Sequence, residues 1–393
     1  MPSLDAYRWL IGDEAAPWLR KLADDLADRP PLPATVKSLR LQLGTERAAL
    51  VLDQVQLRAK AHVKFPRADE LFFTAKGLEQ ATDQWLAGYK AQRFAGFADV
   101  ADLCCGIGGD ALALAQEHPL RLVDRDEISL LLAAANIERS GGILANQSAA
   151  AVEPKHVANV MAWHIDPDRR SSGRRTSRVE LGEPGVEAID ALLGVCKEAA
   201  VKLAPAADVP PHWHDQCQRE WIETRGECRQ QVVWFGGLAE EIACRTATLV
   251  DATGEACSFT GKPDVSCGSA EQIGAYLFDP SPSLSAAGLV GALADSLGLA
   301  VVSTKSSYLT GAEAVVHPHL QTFAVEQELP LDVRQLRAYL HARKISRLEI
   351  KKRGVDVTPE SLRPQLDLSG DESGTLILAR VGTQARAIMC RRI

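Results

Sequence analysis

Methionine and aromatic residues are scarce in this chain, with three Met and 5% Phe, Trp and Tyr among 393 residues. No apolar run reaches the roughly 18 residues a membrane-crossing helix needs, so no membrane segment is expected. The first thirty residues carry Asp5, Asp13 and Glu14 among scattered apolar positions, which is not a secretory leader pattern. No Cys-x-x-Cys pair occurs, and the nine cysteines are an odd number. A disulfide framework and a zinc knuckle are therefore not expected, and the count fits a reducing cytoplasm. His212, His214, Cys217 and Cys228 match no zinc spacing, so no metal is expected. Positive charge is in deficit too: the formal net charge is −7, which argues against a chain that binds nucleic acid along its whole length.

What is present is an ordinary globular composition, 46% hydrophobic and 24% charged. The length predicts two or three domains. Charge is unevenly spread: residues 331–393 hold 13 Lys and Arg against 7 Asp and Glu. A basic end on an acidic body points to a phosphate-bearing partner at that end. Helical spacing predicts a helical region over residues 1–94. Its helices would be "APWLRKLADDLADR", a second one capped by Thr45, and a third running on from Thr74. Residues 95–260 alternate short apolar strands with helices, which predicts a doubly wound α/β sheet. Residues 261–330, rich in Gly, Pro and Ser, read as a connecting segment with one helix. Residues 331–393 read helix, strand, helix, strand, strand: a small α+β unit.

The informative stretch is "DLCCGIGGD", residues 102–110. It follows a strand and opens a helix. Gly106 permits a tight turn, Gly108 and Gly109 permit close backbone approach, and the helix offers free N–H groups. "GIGGDA" also meets the loose dinucleotide pattern, so a nicotinamide cofactor stays open at this point. Asp102 argues the other way, because a carboxylate repels a pyrophosphate. S-adenosylmethionine (SAM) has no phosphate and carries two cationic groups, a sulfonium and an ammonium. Asp124, about 20 residues further on at the end of the next strand, is placed for the ribose hydroxyls of either cofactor.

"VADLCCGIGGDALALA" resembles motif I of the class I SAM-dependent methyltransferases, and its Cys-Gly-x-Gly-Gly form is similar to the RNA cap guanine-N2 methyltransferases. "FFTAKGLEQAT", "HIDPDRRS", "YLFDPSPSLSAAGL" and "LEIKKRGVDVTPESLR" extend the resemblance to a bacterial class I family with a C-terminal THUMP-like domain. The resemblance implies a Rossmann-like sheet followed by a THUMP-like α+β domain, and SAM as cofactor. It implies that Asp102, Gly106, Gly108 and Gly109 cradle the methionine end and that Asp124 binds ribose. It makes Phe73 and Thr74 candidate neighbours of SAM. The acid that usually meets adenine has no clear counterpart in "QSAAAVEPKH", where Glu153 is the nearest carboxylate.

"AWHIDPDRR" ends the fourth strand, beside the expected methyl donor. Amino methyltransferases often carry Asp/Asn-Pro-Pro-aromatic here, and the first side chain and a following carbonyl orient the target amine. Asp166 and Pro167 fit that pattern. Asp168 replaces the second Pro, and Arg169 stands in the aromatic position, where its guanidinium plane could stack on a base. Asp166, Pro167 and Arg169 are thus the candidate catalytic residues. Asp168, Arg170, Arg174 and Arg175 are candidates for substrate binding in an Arg-rich loop. Strand alternation in "RLEIKKRG" puts Arg347, Glu349, Lys351 and Arg353 on one face, so Lys351 and Arg353 are candidates for tracking a nucleic-acid backbone. The expected function is SAM-dependent methylation of a nitrogen of RNA or another nucleic acid. A small-molecule methyltransferase and a non-catalytic SAM- or RNA-binding protein are the alternatives.

Overall fold

Position 44 needs a positive φ, and a glycine supplies it: Gly44 stands at φ +79 within the helical run Pro33–Ala61 and breaks it in two, one residue before the expected Thr45 cap. The computed structural model that shows this describes residues 2–26, 32–168, 182–303, 307–382 and 384–393. Three helices lead the chain, α1 (Leu4–Ile11), α2 (Ala16–Leu26) and α3 (Pro33–Ala61). Two short ones follow, α4 (Ala75–Gln80) and α5 (Gln84–Ala91). Leu10, Leu19, Val51, Phe65 and Phe72 form their common core, which takes in Ile107 and Leu132.

The single helix expected from Thr74 is two. Thr74 does cap α4, accepting the Gly77 N–H at 2.9 Å. The helix then stops because Lys64 Nζ donates to three of its terminal carbonyls, those of Leu78, Glu79 and Ala81, at 2.8, 3.0 and 2.7 Å. Asp83 starts α5 by accepting the Leu86 N–H at 3.0 Å.

The chain divides into two compact units, each discontinuous in sequence. The first holds residues 1–218, 230–242 and 250–255. Its sheet is built from β1 (Val100–Leu103), β2 (Leu120–Asp124), β3 (Leu144–Ala149), β4 (Ala162–Ile165) and β5 (Ala199–Leu203). These five are parallel, in the order β3-β2-β1-β4-β5. Helices α6 (Ala111–Leu114), α7 (Glu127–Ser140) and α8 (Val186–Val195) connect them. Leu103, Trp163, Ile165 and Val201 are fully buried, as strands covered on both faces require. This is the doubly wound sheet expected from the sequence. Strand order reverses between β1 and β4, so the ligand crevice belongs at their C-terminal ends.

Next come β6 (Cys217–Thr224), β7 (Glu227–Phe235), β8 (Arg245–Val250) and β9 (Ala256–Gly261). The far end of β7 runs antiparallel to β5 in the first unit. In the second unit β6 pairs parallel with β8. The rest of that unit is a seven-stranded sheet made of β10 (Tyr276–Pro280), β11 (Ala300–Val301), β12 (Leu309–Gly311), β13 (Leu320–Pro330), β14 (Ile345–Arg353), β15 (Glu372–Val381) and β16 (Gln384–Arg392). The order is β11-β12-β10-β13-β16-β15-β14. Its helices are α9 (Pro282–Ala287), α10 (Val290–Ser296), α11 (Val333–Ala342) and α12 (Pro359–Leu362).

Residues 261–330 are therefore not a bare connection: β10 to β13 are strands of the sheet that the α+β stretch completes. Gly288, at φ +70, ends α9 and divides what reads as one helix. Leu336, Leu348, Leu376, Leu378 and Met389 pack α11 on one side of the sheet, while Leu277, Tyr308, Phe323, Ile377 and Ile388 form the core on the other. Among the described residues no helix is long and apolar enough to cross a membrane.

Candidate functional site

The glycine turn leaves β1 through an unusual residue. Cys104 adopts φ +56, so strand alternation ends at Leu103 and does not extend through the cysteine pair. Burial pushes both the Cys104 and Cys105 thiols up, so neither is poised as a thiolate nucleophile.

The three glycines then do three different things. Gly106 stands at φ +54 with open space where a Cβ would be, and its N–H donates to Asp124 Oδ2 at 2.8 Å. A Cβ on Gly108 would lie 3.3 Å from Ala133 of α7, so this glycine permits close packing of loop on helix. A Cβ on Gly109 would lie 2.9 Å from the Thr82 nitrogen and 3.1 Å from the Ala81 Cβ. The Cβ directions of Gly108 and Gly109 thus point at protein, and that of Gly106 points into open space. Gly109→Ala is expected to cost about 1–2 kcal/mol in stability, read as a lower melting temperature, because the neighbour it meets is backbone.

Asp102 is 1% exposed. Its Oδ1 lies 2.7 Å from His164 Nδ1 on β4, the residue paired with it across the sheet. Its Oδ2 is buried with no hydrogen-bond partner among the described residues. Burial raises the Asp102 carboxyl above its usual range, against the pull of His164. An acceptor sealed from water and lacking a donor is costly, and a ligand ammonium is the kind of donor that removes that cost. Asp124 ends β2, where it also accepts the Asp126 N–H at 2.9 Å. Burial raises it as well, against the hydrogen bonds from the Asp126 and Gly106 backbone. A buried orphan carboxylate oxygen, an open glycine and a second acid at the end of the neighbouring strand fit a ligand carrying an ammonium and a diol. SAM carries both.

Other expected neighbours are engaged elsewhere. The Phe73 ring is buried in the helical core with its centroid 5.7 Å from that of Phe65. The Thr74 hydroxyl is used in capping α4. Glu153 is exposed and paired with Lys155 at 2.5 Å.

β4 delivers Asp166 to the same end of the sheet. Its N–H donates to the Leu103 carbonyl at 3.3 Å, which sets it against the start of the glycine turn. The Asp166 side chain is 28% exposed, and Pro167 behind it is buried. The Asp168 carboxylate lies 3.5 Å from Lys76 of α4 and 3.8 Å from Arg125, and its backbone bridges that of Glu183. Helix α4, capped by the candidate neighbour Thr74, is thus tied to this strand end. Arg169, Arg170, Arg174 and Arg175 lie outside the described residues.

Beneath Asp166 is an ionic cluster that sequence reasoning missed. Lys202 Nζ on β5 lies 2.5 Å from Asp166 Oδ2, 2.8 Å from Thr82 Oγ1 and 3.7 Å from Asp110 Oδ2. Asp110 accepts the Thr82 hydroxyl at 2.7 Å and pairs with Lys90 at 2.6 Å. Burial opposes ionisation of Asp110, but Lys90, Lys202 and His164 outweigh it and hold this carboxyl well below the usual range. The signal was a lone lysine in the otherwise apolar strand "AAVKL", a place lysine occupies only with a partner.

In the second unit the basic face of β14 is as the alternation predicts: Arg347 and Glu349 are exposed, but Lys351 and Arg353 are half-buried and paired within the unit. Lys351 and Arg353 each lie 2.8 Å from Asp279 of β10, and Arg353 also donates to the Pro280 carbonyl at 2.9 Å. Arg392 pairs with Glu349 at 2.8 Å. Lys351 and Arg353 were expected to meet a phosphate backbone; both are paired with the one internal carboxylate of Asp279. Asp279→Asn is expected to lower the stability of this unit by about 1–2 kcal/mol in thermal melting, because two half-buried cations lose their anion.

Residues 320–392 match the family model described as THUMP domain-like. Two Mycobacterium tuberculosis proteins, from strains CDC 1551 / Oshkosh and H37Rv, carry the name uncharacterized S-adenosylmethionine-dependent methyltransferase. Each is 31% identical to this chain over 368 residues, covering 90% of this chain and 99% of its own. A solved Porphyromonas gingivalis W83 protein, assigned as a methyltransferase, superimposes with a TM-score of 0.80 at 18% identity. The match spans 95% of this chain and 97% of that one, which shows a shared fold.

Proposed function

The chain belongs to the family of S-adenosylmethionine-dependent methyltransferases, and we propose that its acceptor is a nitrogen of RNA or another nucleic acid. The observation that carries this reading is Asp166: a partly exposed carboxylate, followed by a proline, at the strand end against the glycine turn. SAM, when bound, would supply an electrophilic methyl on a sulfur that leaves with the bonding pair, and the target amine would supply the lone pair for the new N–C bond.

The residues of the chain hold and aim. Asp102 Oδ2 accepts the ligand ammonium, and Asp124 accepts ribose hydroxyls. Gly106 lets the backbone come close. The Asp166 carboxylate and the Pro167 carbonyl accept the two N–H groups of the target amine, which turns its lone pair toward the methyl. The proton lost by the methylated nitrogen passes to Asp166 or to water. Arg169, Arg170, Arg174 and Arg175 would meet the phosphates or the base. The THUMP domain-like match at residues 320–392 supports a nucleic-acid acceptor.

One observation favours a second reading. With Lys351 and Arg353 bound to Asp279, the β14 face has fewer free cations for a phosphate backbone, which suits a small amine substrate. The two readings separate in one assay. Cells lacking this protein supply an extract that is incubated with the protein and SAM labelled in its methyl group, then split into RNA and small-molecule fractions. Label recovered as an N-methylated nucleoside is expected. Label confined to the small-molecule fraction overturns the nucleic-acid reading.

A further inference from the structure

We propose that Lys202 is a positioning residue for the transfer: it clamps one oxygen of Asp166 and so dictates which oxygen meets the target amine. This rests on the reading that Asp166 receives that amine. The ammonium reaches Asp166 Oδ2 at 2.5 Å and Thr82 Oγ1 at 2.8 Å. Thr82 in turn donates to Asp110 Oδ2 at 2.7 Å, and Lys90 holds the other oxygen of Asp110 at 2.6 Å. Lys90, Asp110 and Lys202 are all buried. The clamp therefore rests on a charged base that cannot swing into water without leaving an uncompensated buried charge.

A carboxylate on the end of a short side chain can rotate about its last torsion with little preference. Lys202 removes that freedom. With Oδ2 committed to an ammonium, Oδ1 is the oxygen presented to the substrate. A lysine offers only donors and a carboxylate only acceptors, so the pairing has one sense.

That sense gives an unusual expectation. Asn has one acceptor and one donor end. In Asp166→Asn, Lys202 takes the amide oxygen and turns the NH2 toward the target amine, where two donors meet. Removing Lys202 as well lets the amide flip and present its oxygen. Asp166→Asn alone is expected to reduce kcat by 100-fold or more, and Lys202→Met/Asp166→Asn to recover about tenfold of that loss, a gain worth about 1.4 kcal/mol. Lys202→Met alone lowers kcat about tenfold with KM changed less than threefold, and Lys202→Arg restores part of it.

The four proteins are compared on whichever extract fraction the wild type labels, RNA or small-molecule, and each is also melted without substrate. Non-additive melting temperatures are expected, with Asp166→Asn less stable than the double variant because the buried ammonium then faces a neutral amide oxygen in place of a carboxylate. Additive losses in both melting temperature and kcat overturn the clamp. If only the small-molecule fraction is labelled while the double variant still outperforms Asp166→Asn, the nucleic-acid reading fails and the clamp stands.

Discussion

Asp166→Ala is expected to lower methyl transfer by about 10²–10⁴-fold, the range that a positioned proton-accepting group contributes. Affinity for SAM, measured by calorimetry, should stay within about twofold, because the proposed role of the Asp166 carboxylate is to meet the acceptor rather than the cofactor. The reasoning is geometric. The carboxylate stands at the end of β4, held to the start of the glycine turn by the bond from its N–H to the Leu103 carbonyl. The crevice at the C-terminal ends of β1 and β4, where the strand order reverses, is where this kind of sheet binds ligands. A change in both kcat and SAM affinity would place Asp166 in the cofactor pocket instead. Unchanged turnover would remove it from the mechanism altogether.

The sheet and the loop were legible because their determinants are local. Strand, glycine turn and helix follow one another within a dozen residues, and Asp102 and Asp124 fall at successive strand ends. The uses of Gly108 and Gly109 were not legible, because the atoms they accommodate belong to Ala133 and Thr82, on other elements. The same holds for the cluster under Asp166. Thr82, Lys90, Asp110 and Lys202 come from four places along the chain, and no window of sequence contains their contacts. Alternation in β14 correctly put Lys351 and Arg353 on one face, but no local pattern shows that Asp279, more than seventy positions earlier, lies over it. Helix breaks were missed for a related reason: Lys64 ends α4 from outside the helix that reads as continuous.

The buried acid in front of the glycine turn yields the other large effect. Asp102→Asn should weaken SAM binding by about 10- to 100-fold, the value of one charge-assisted hydrogen bond. Asn keeps the shape and can still bond His164, so folding should be preserved. The pH dependence carries a definite sign. Burial raises the Asp102 carboxyl, while His164 and Lys90 oppose this and Asp110 adds to it. In the free protein Asp102 therefore keeps its proton above the pH at which an ordinary carboxyl loses it. A ligand ammonium favours the ionised form, so binding at a pH below the raised value must expel that proton. SAM affinity should rise as pH increases from the ordinary carboxylate range through the raised one, then level off. Calorimetry in two buffers of different ionisation enthalpy measures the proton released. In Asp102→Asn both the release and that part of the pH dependence should vanish. If the variant keeps the wild-type pH profile, another group binds the ammonium, and the orphaned Oδ2 has some other partner.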